Sequence, residues 1–192
     1  IAGIDRYLTA EAIARRAVQL LGGRYTGTVF VATGANFPDA LAASPLAFAR
    51  GWPLLLSGAT GLSDSTKSTL ADIDPSAALV LGGEQAVPDS VVAYLGGTMP
   101  SVERIFGLDR YRTAVAVASH GAGEAGLRWE GMGLATGQNY PDALSGGVLV
   151  GQRRSVMLLT PSTALDPYAA AAISLNRDEI AEIIYFGGPL MV

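Results

Sequence analysis

The chain has 192 residues, with 13 Lys+Arg against 17 Asp+Glu, a net charge of −4, 49% apolar residues and 16% charged residues. So much apolar sequence excludes an extended disordered chain, and an acidic balance without a Lys/Arg run argues against electrostatic nucleic-acid binding. Cysteine is absent, which excludes disulfide scaffolds, thiolate zinc sites and cysteine nucleophiles, and the single histidine, His120, leaves little room for a histidine-rich metal site.

The first element in chain order is a predicted amphipathic helix over Thr9–Leu21. Ala10, Ile13, Ala14, Ala17, Val18 and Leu21 line one face, Glu11, Arg15, Arg16 and Gln19 the other, and Gly22-Gly23 closes it. Thr28–Thr33 reads as a buried strand. Pro38–Arg50 reads as one helix, with Gly51 placed to end it and Pro53 blocking continuation. Leu54–Ser57 is a strand, Ser63–Ala71 a helix, Ala77–Leu81 a strand, Pro88–Leu95 a helix entered at proline, and Val102–Phe106 a strand. Strands apolar on both faces and alternating with helices predict an α/β fold, a mostly parallel sheet with helices on both faces. No apolar run reaches the roughly 18 residues of a membrane span. The absence of an initiator methionine before Ile1 suggests a processed form or an excised piece.

The pattern then repeats. Gly3-Ile4-Asp5-Arg6-Tyr7-Leu8-Thr9-Ala10 returns as Gly107-Leu108-Asp109-Arg110-Tyr111-Arg112-Thr113-Ala114, an offset of 104. Thr33-Gly34-Ala35-Asn36-Phe37-Pro38-Asp39-Ala40-Leu41 returns as Thr136-Gly137-Gln138-Asn139-Tyr140-Pro141-Asp142-Ala143-Leu144, offset 103, and Leu81-Gly82-Gly83 as Phe186-Gly187-Gly188, offset 105. Three blocks in one order mark two tandem copies of a single unit, residues 1–101 and 102–192. The second copy has strands at Gly131–Thr136, Val156–Thr160 and Ile183–Phe186. It stops before a counterpart of 88–96, so a truncated copy from a longer array is expected. Gly121, Gly123 and Gly126 predict an interrupted helix after His120, a residue expected at the surface, and Arg154 replaces Gly51, so that helix end needs another device.

Every duplicated motif follows a predicted strand, which puts all of them on the carboxyl rim of a parallel sheet, where such folds bind ligands. Each motif admits two readings. Asn36, Asp39, Asn139 and Asp142 suit either Asx-turn and helix-start capping or hydrogen bonds to sugar hydroxyls. Asp5 and Asp109 can pair locally with Arg6 and Arg110, or leave those guanidinium groups to phosphate or carboxylate. Tyr7 and Tyr111 can pack at repeat contacts or stack on sugar rings. Gly82-Gly83 suits a tight strand-to-helix turn or, more weakly because no phosphate-loop glycine frame is present, a phosphate cradle at the next helix N-terminus.

The blocks Gly3–Ala10, Thr33–Leu41, Pro53–Leu56 and Gly82–Val87, with Arg104–Ala114, Thr136–Leu144 and Gly187–Gly188 in the second copy, resemble the cell wall-binding repeat 2 family. Departures are Val156 for Pro53, the glycine-rich stretch after Ala118, and Pro189-Leu190 for Gln85-Ala86. The resemblance implies a secreted Gram-positive surface module that holds a protein on the wall noncovalently by binding an anionic polymer, with any enzymatic activity in neighbouring domains. It also implies tandem triplets around a pseudo-threefold axis, and hence further repeat copies or a homo-oligomer. No cofactor or metal is expected. Two other classes stand beside this one. A wall hydrolase would use Asp39 and Asp142 as acids, although neither copy offers a second carboxylate at matched spacing. A purely structural module would use the duplicated surfaces for assembly.

Overall fold

Residues 1–188 are described by a computed structural model. In chain order the elements are α1 Arg6–Leu21, β1 Thr28–Thr33, α2 Pro38–Ala42, α3 Ser44–Arg50, β2 Leu54–Ser57, α4 Asp64–Ile73, β3 Ala77–Leu81, α5 Asp89–Gly96 and β4 Ser101–Ile105. There follow α6 Arg110–Glu124, β5 Arg128–Thr136, α7 Pro141–Gln152, β6 Ser155–Thr160, α8 Pro167–Leu175 and β7 Glu182–Phe186. The departure at Pro189 and Leu190 lies outside the described residues. No helix among the described residues is long and apolar enough to cross a membrane.

The protein is an α/β repeat protein with one parallel sheet per copy. The first sheet has strand order β2-β1-β3-β4 and the second β6-β5-β7, with every pairing parallel. Val29, Phe30, Val31 and Ala32 of β1 are all fully buried. Successive strand residues point to opposite faces, so both faces of this strand are dry and alternation is lost. On one face Val29, Val31, Leu55, Ala78 and Val80 meet Ala14 of α1, Leu70 and Ile73 of α4, and Val91 and Leu95 of α5. In the second sheet Val156, Met157, Leu158 and Leu159 are buried, beside Ala114, Val117 and Ala118 of α6 and Val150 of α7.

Two compact units result, and they cut across the repeats. One comprises Ile1–Phe37 and Gly51–Ile105; the other takes Pro38–Arg50 together with the chain from Phe106 onward. The helical hairpin α2–α3 therefore leaves its own copy and packs on α6 and α7.

Several local expectations are corrected. The first helix starts at Arg6, not Thr9, because the Asp5 carboxylate accepts the Leu8 N–H at 2.8 Å and caps it. The single helix expected over 38–50 is two. Pro45 has no N–H to offer the carbonyl of Leu41, and the Ser44 hydroxyl donates to that carbonyl instead at 2.7 Å. Val148 stands at the matching position of the second copy, and α7 runs unbroken from Pro141 to Gln152. The glycines after His120 do not interrupt α6. Gly121 is buried, and a Cβ there would lie 2.8 Å from Leu127 Cδ1, so its absence admits a close contact. His120 is mostly covered rather than a surface residue, its Nδ1 4.0 Å from Glu124 Oε2 one turn on. Strand β5 begins at Arg128, three residues before the expected Gly131. The turn after α7 ends with Arg154 itself in the left-handed region (φ 54°), the conformation Gly51 adopts in the first copy (φ 66°).

Candidate functional site

The carboxyl ends of the strands do gather the duplicated motifs, and in both copies the motifs hold one another. In the first, Arg6 Nη1 donates to the Gly34 carbonyl at 2.7 Å, and in the second Arg110 Nη1 donates to the Gly137 carbonyl at 2.5 Å. The tyrosine one residue later lies over the same glycine. A Cβ on Gly34 would fall 2.4 Å from Tyr7 Cε1, and one on Gly137 2.8 Å from Tyr111 Cε1. Burial raises the Tyr111 phenol above its ordinary range, against the opposing effect of Arg110. The Asp-Arg-Tyr block thus caps a helix with its first residue and fastens the strand-to-helix loop with the next two.

The threonine of each block completes the turn. Thr9 and Thr113 accept the backbone N–H of Gly3 and Gly107, each at 3.0 Å. Asp109 accepts from the N–H groups of Tyr111 (3.0 Å) and Arg112 (2.9 Å), the same capping role as Asp5. Asn36 and Asn139 accept the N–H of the following residue, Phe37 at 3.0 Å and Tyr140 at 2.9 Å. Thr33 and Thr136 likewise hold the N–H groups of Ala35 and Gln138, both at 3.2 Å.

Asp39 and Asp142 differ although they occupy one motif position. The Asp39 carboxyl, carried by α2 into the second unit, is hydrogen-bonded by Thr113 and faces Arg110. Its pKa is raised because burial outweighs both of those contacts. Asp142 is half-buried in the first turn of α7, with no side-chain hydrogen bond among the described residues. An aspartate of the first copy is therefore knitted to the Arg-x-x-Thr pattern of the second. Spacing within one repeat gives no hint of this, because the contact belongs to successive repeats.

Further rim residues went unnoticed in the sequence. Arg104 donates to the carbonyls of Gly82 (2.8 Å) and Val87 (2.9 Å) and pairs with Asp89 at 2.8 Å, pinning the Gly-Gly turn. Gln138 accepts from the N–H and hydroxyl of Ser162, at 3.1 and 2.6 Å. Asp166 caps α8, and Arg112 stacks over Tyr168 at 3.8 Å from the ring centre. Arg104 opens the Arg104–Ala114 block of the family resemblance, the one sequence signal that marks it.

Comparison with known proteins agrees with this internal duplication. The family described as Cell wall binding domain 2 (CWB2) matches residues 1–92 and again 104–192. The chain is 28% identical over 160 residues to the N-acetylmuramoyl-L-alanine amidase LytC of Bacillus subtilis (strain 168), covering 83% of this chain and 29% of that protein. It is 31% identical over 180 residues to the amidase enhancer of the same organism, covering 93% of this chain and 22% of that one. Among solved structures, Cwp6 from Clostridium difficile superimposes on the whole chain with a TM-score of 0.85 at 24% identity, using 29% of its own length. Cwp8 from the same species superimposes on 98% of the chain with a TM-score of 0.81 at 21% identity, using 31% of its length. The chain thus spans less than a third of each of these proteins.

Proposed function

The chain belongs to the Cell wall binding domain 2 family, and from that membership we propose that it is a non-catalytic module that anchors a secreted protein at the Gram-positive cell surface by holding an anionic wall polymer. The observation that carries the reading is the match of both copies to the family, each complete through the rim motifs. A repetitive module on a repetitive polymer gains affinity through effective concentration, so weak individual sites suffice. The net charge of −4 means that attraction must come from focused arginines rather than from an overall basic field. Three of the four rim aspartates are occupied, Asp5 and Asp109 with caps and Asp39 with Thr113. The fourth, Asp142, has no carboxylate partner among the described residues to share acid–base work, which favours binding over hydrolysis. On this reading Arg6, Arg110, Tyr7, Tyr111, Asn36 and Asn139 shape the rim through the loops they hold, and Asp142 is its unengaged carboxylate.

Co-sedimentation with purified Gram-positive walls tests the proposal, before and after acid removes the phosphodiester-linked polymers. Binding lost on stripping is expected. Equal binding to stripped walls would overturn the anionic ligand and move the target to the glycan.

A second reading concerns assembly, and one observation favours it. Leu41 and Leu46 of the first copy are 5% and 0% exposed beneath their neighbours, whereas the matching Leu144 and Leu149 are 55% and 42% exposed. We infer that another copy of the repeat, in cis or from a second chain, covers this exposed face of α7 as α6 and α7 cover the matching face of α2–α3. A concentration-dependent mass by light scattering, abolished by Leu144→Glu, is the expected result; a strict monomer would leave a further repeat in cis as the occupant.

A further inference from the structure

A cleft of about 450 Å³ opens at the opposite, amino edge of the second sheet. Its charged lining is Arg128, Arg153, Arg154, Glu130 and Glu182, with Ser155 at the floor. Arg128 pairs with Glu130 at 3.1 Å and Arg153 with Glu182 at 2.5 Å. The Arg154 side chain, by contrast, is exposed and has no ion pair or hydrogen bond among the described residues. At the floor, Ser155 is 2% exposed, and its hydroxyl has no partner among the described residues either.

The first copy shows that the fold does not require these groups. Tyr25, Gly27, Gly51, Trp52 and Ala77 stand where the second copy has Arg128, Glu130, Arg154, Ser155 and Glu182. There Trp52 is buried, donates its indole N–H to Thr26 at 2.8 Å and tilts against Phe30. The second copy has lost that aromatic plug and has gained two guanidinium groups, Arg128 and Arg154, around a buried hydroxyl, beside Arg153, which matches Arg50 of the first copy. It also keeps a side chain at Arg154 in a left-handed backbone conformation that favours glycine, the residue used by the first copy. Three arginines against two glutamates leave the cleft one positive charge within an acidic chain.

We propose that this cleft is an oxyanion site for the phosphodiester groups of the wall polymer, a specific contact that rests on the anchoring function inferred above. Arg154 supplies the free planar fork that phosphate oxygens accept bidentately, Ser155 donates from the floor, and Arg153 turns between Glu182 and the ligand. The volume holds a phosphate with its flanking polyol or sugar.

The test uses Arg154→Gly, which restores the residue of the first copy at a backbone suited to it and so melts at or above the parent temperature. Poly(glycerol phosphate) titrated into the isotopically labelled chain is expected to shift the backbone amides of 153–155 and 182, and the variant to bind about tenfold more weakly. The variant is also expected to co-sediment less with intact walls. Should it sediment as the parent does while acid stripping still abolishes binding, the cleft is overturned and the polymer anchor stands. Should stripping change nothing, the anchor reading fails; amide shifts confined to the cleft would still support this site, and their absence would end it.

Discussion

Placing a methyl group on Gly34 tests the coupling between the two duplicated motifs. The new Cβ would sit 2.4 Å from Tyr7 Cε1, 2.7 Å from Cζ and 2.8 Å from the phenol oxygen, where ordinary contact begins near 3.4 Å. Either the ring swings out or the loop retreats. Retreat stretches the 2.7 Å bond from Arg6 to the Gly34 carbonyl on the same turn of α1. Overpacking of this kind costs about 1–3 kcal/mol. We therefore expect Gly34→Ala to lose about 2 kcal/mol, a fall of roughly 4–8 °C in the melting midpoint for a chain of this size. The control is Tyr7→Ala. Gly34 is not among the glycines at positive φ, so without the ring an alanine there restricts only the unfolded chain and should be neutral or stabilising by up to about 1 kcal/mol. A double-mutant cycle read by circular dichroism then gives a coupling of about 2 kcal/mol. An equal cost of Gly34→Ala in both backgrounds would refute the stacking argument.

Two further substitutions probe the buried carboxylates. Burial raises the pKa of Asp39 in the folded state above its ordinary value of 3.8, so its neutral form favours folding; that contribution is complete below the ordinary value and is lost as pH rises through the folded one. Asp39→Asn keeps an acceptor for Thr113 and carries no charge, so its stability advantage over the parent should be widest at neutral pH and close on acidification; urea melts showing a pH-independent gap would contradict this. Glu11 is 4% exposed and accepts from the hydroxyls of Ser65, Thr66 and Thr69, joining α1 to α4. Glu11→Ala strands those hydroxyls and should cost about 2 kcal/mol or more in a urea titration, while a loss below about 0.5 kcal/mol would mean water replaces the carboxylate.

Period and punctuation carried most of the architecture into the sequence. Strands β1, β2 and β3 read correctly because short runs of consecutive apolar residues between turn signals suit a buried parallel sheet. The offsets of 103 to 105 residues revealed the duplication, and strand-final motifs located the rim, because parallel connection puts all such loops at one edge. The break at Pro45 was visible in principle, as a proline one turn inside a helix, and Asp5 as a cap before an alanine-rich run.

The remainder depends on contacts between residues far apart in the chain, which local pattern does not encode. That Gly34 is glycine because Tyr7 covers it, and that Arg6 reaches the same loop, follow from how α1 crosses the end of β1. That Asp39 belongs with Thr113 follows from α2–α3 packing on the next copy, a choice made by apolar burial rather than by any motif. The amino-edge cleft shows the same limit most plainly: Arg128, Arg153, Arg154 and Glu182 are spread over 55 residues and read singly as solvated charges. Only the parallel register, which sets Arg128 opposite Ser155 and Gly131 opposite Glu182, brings them around one hydroxyl.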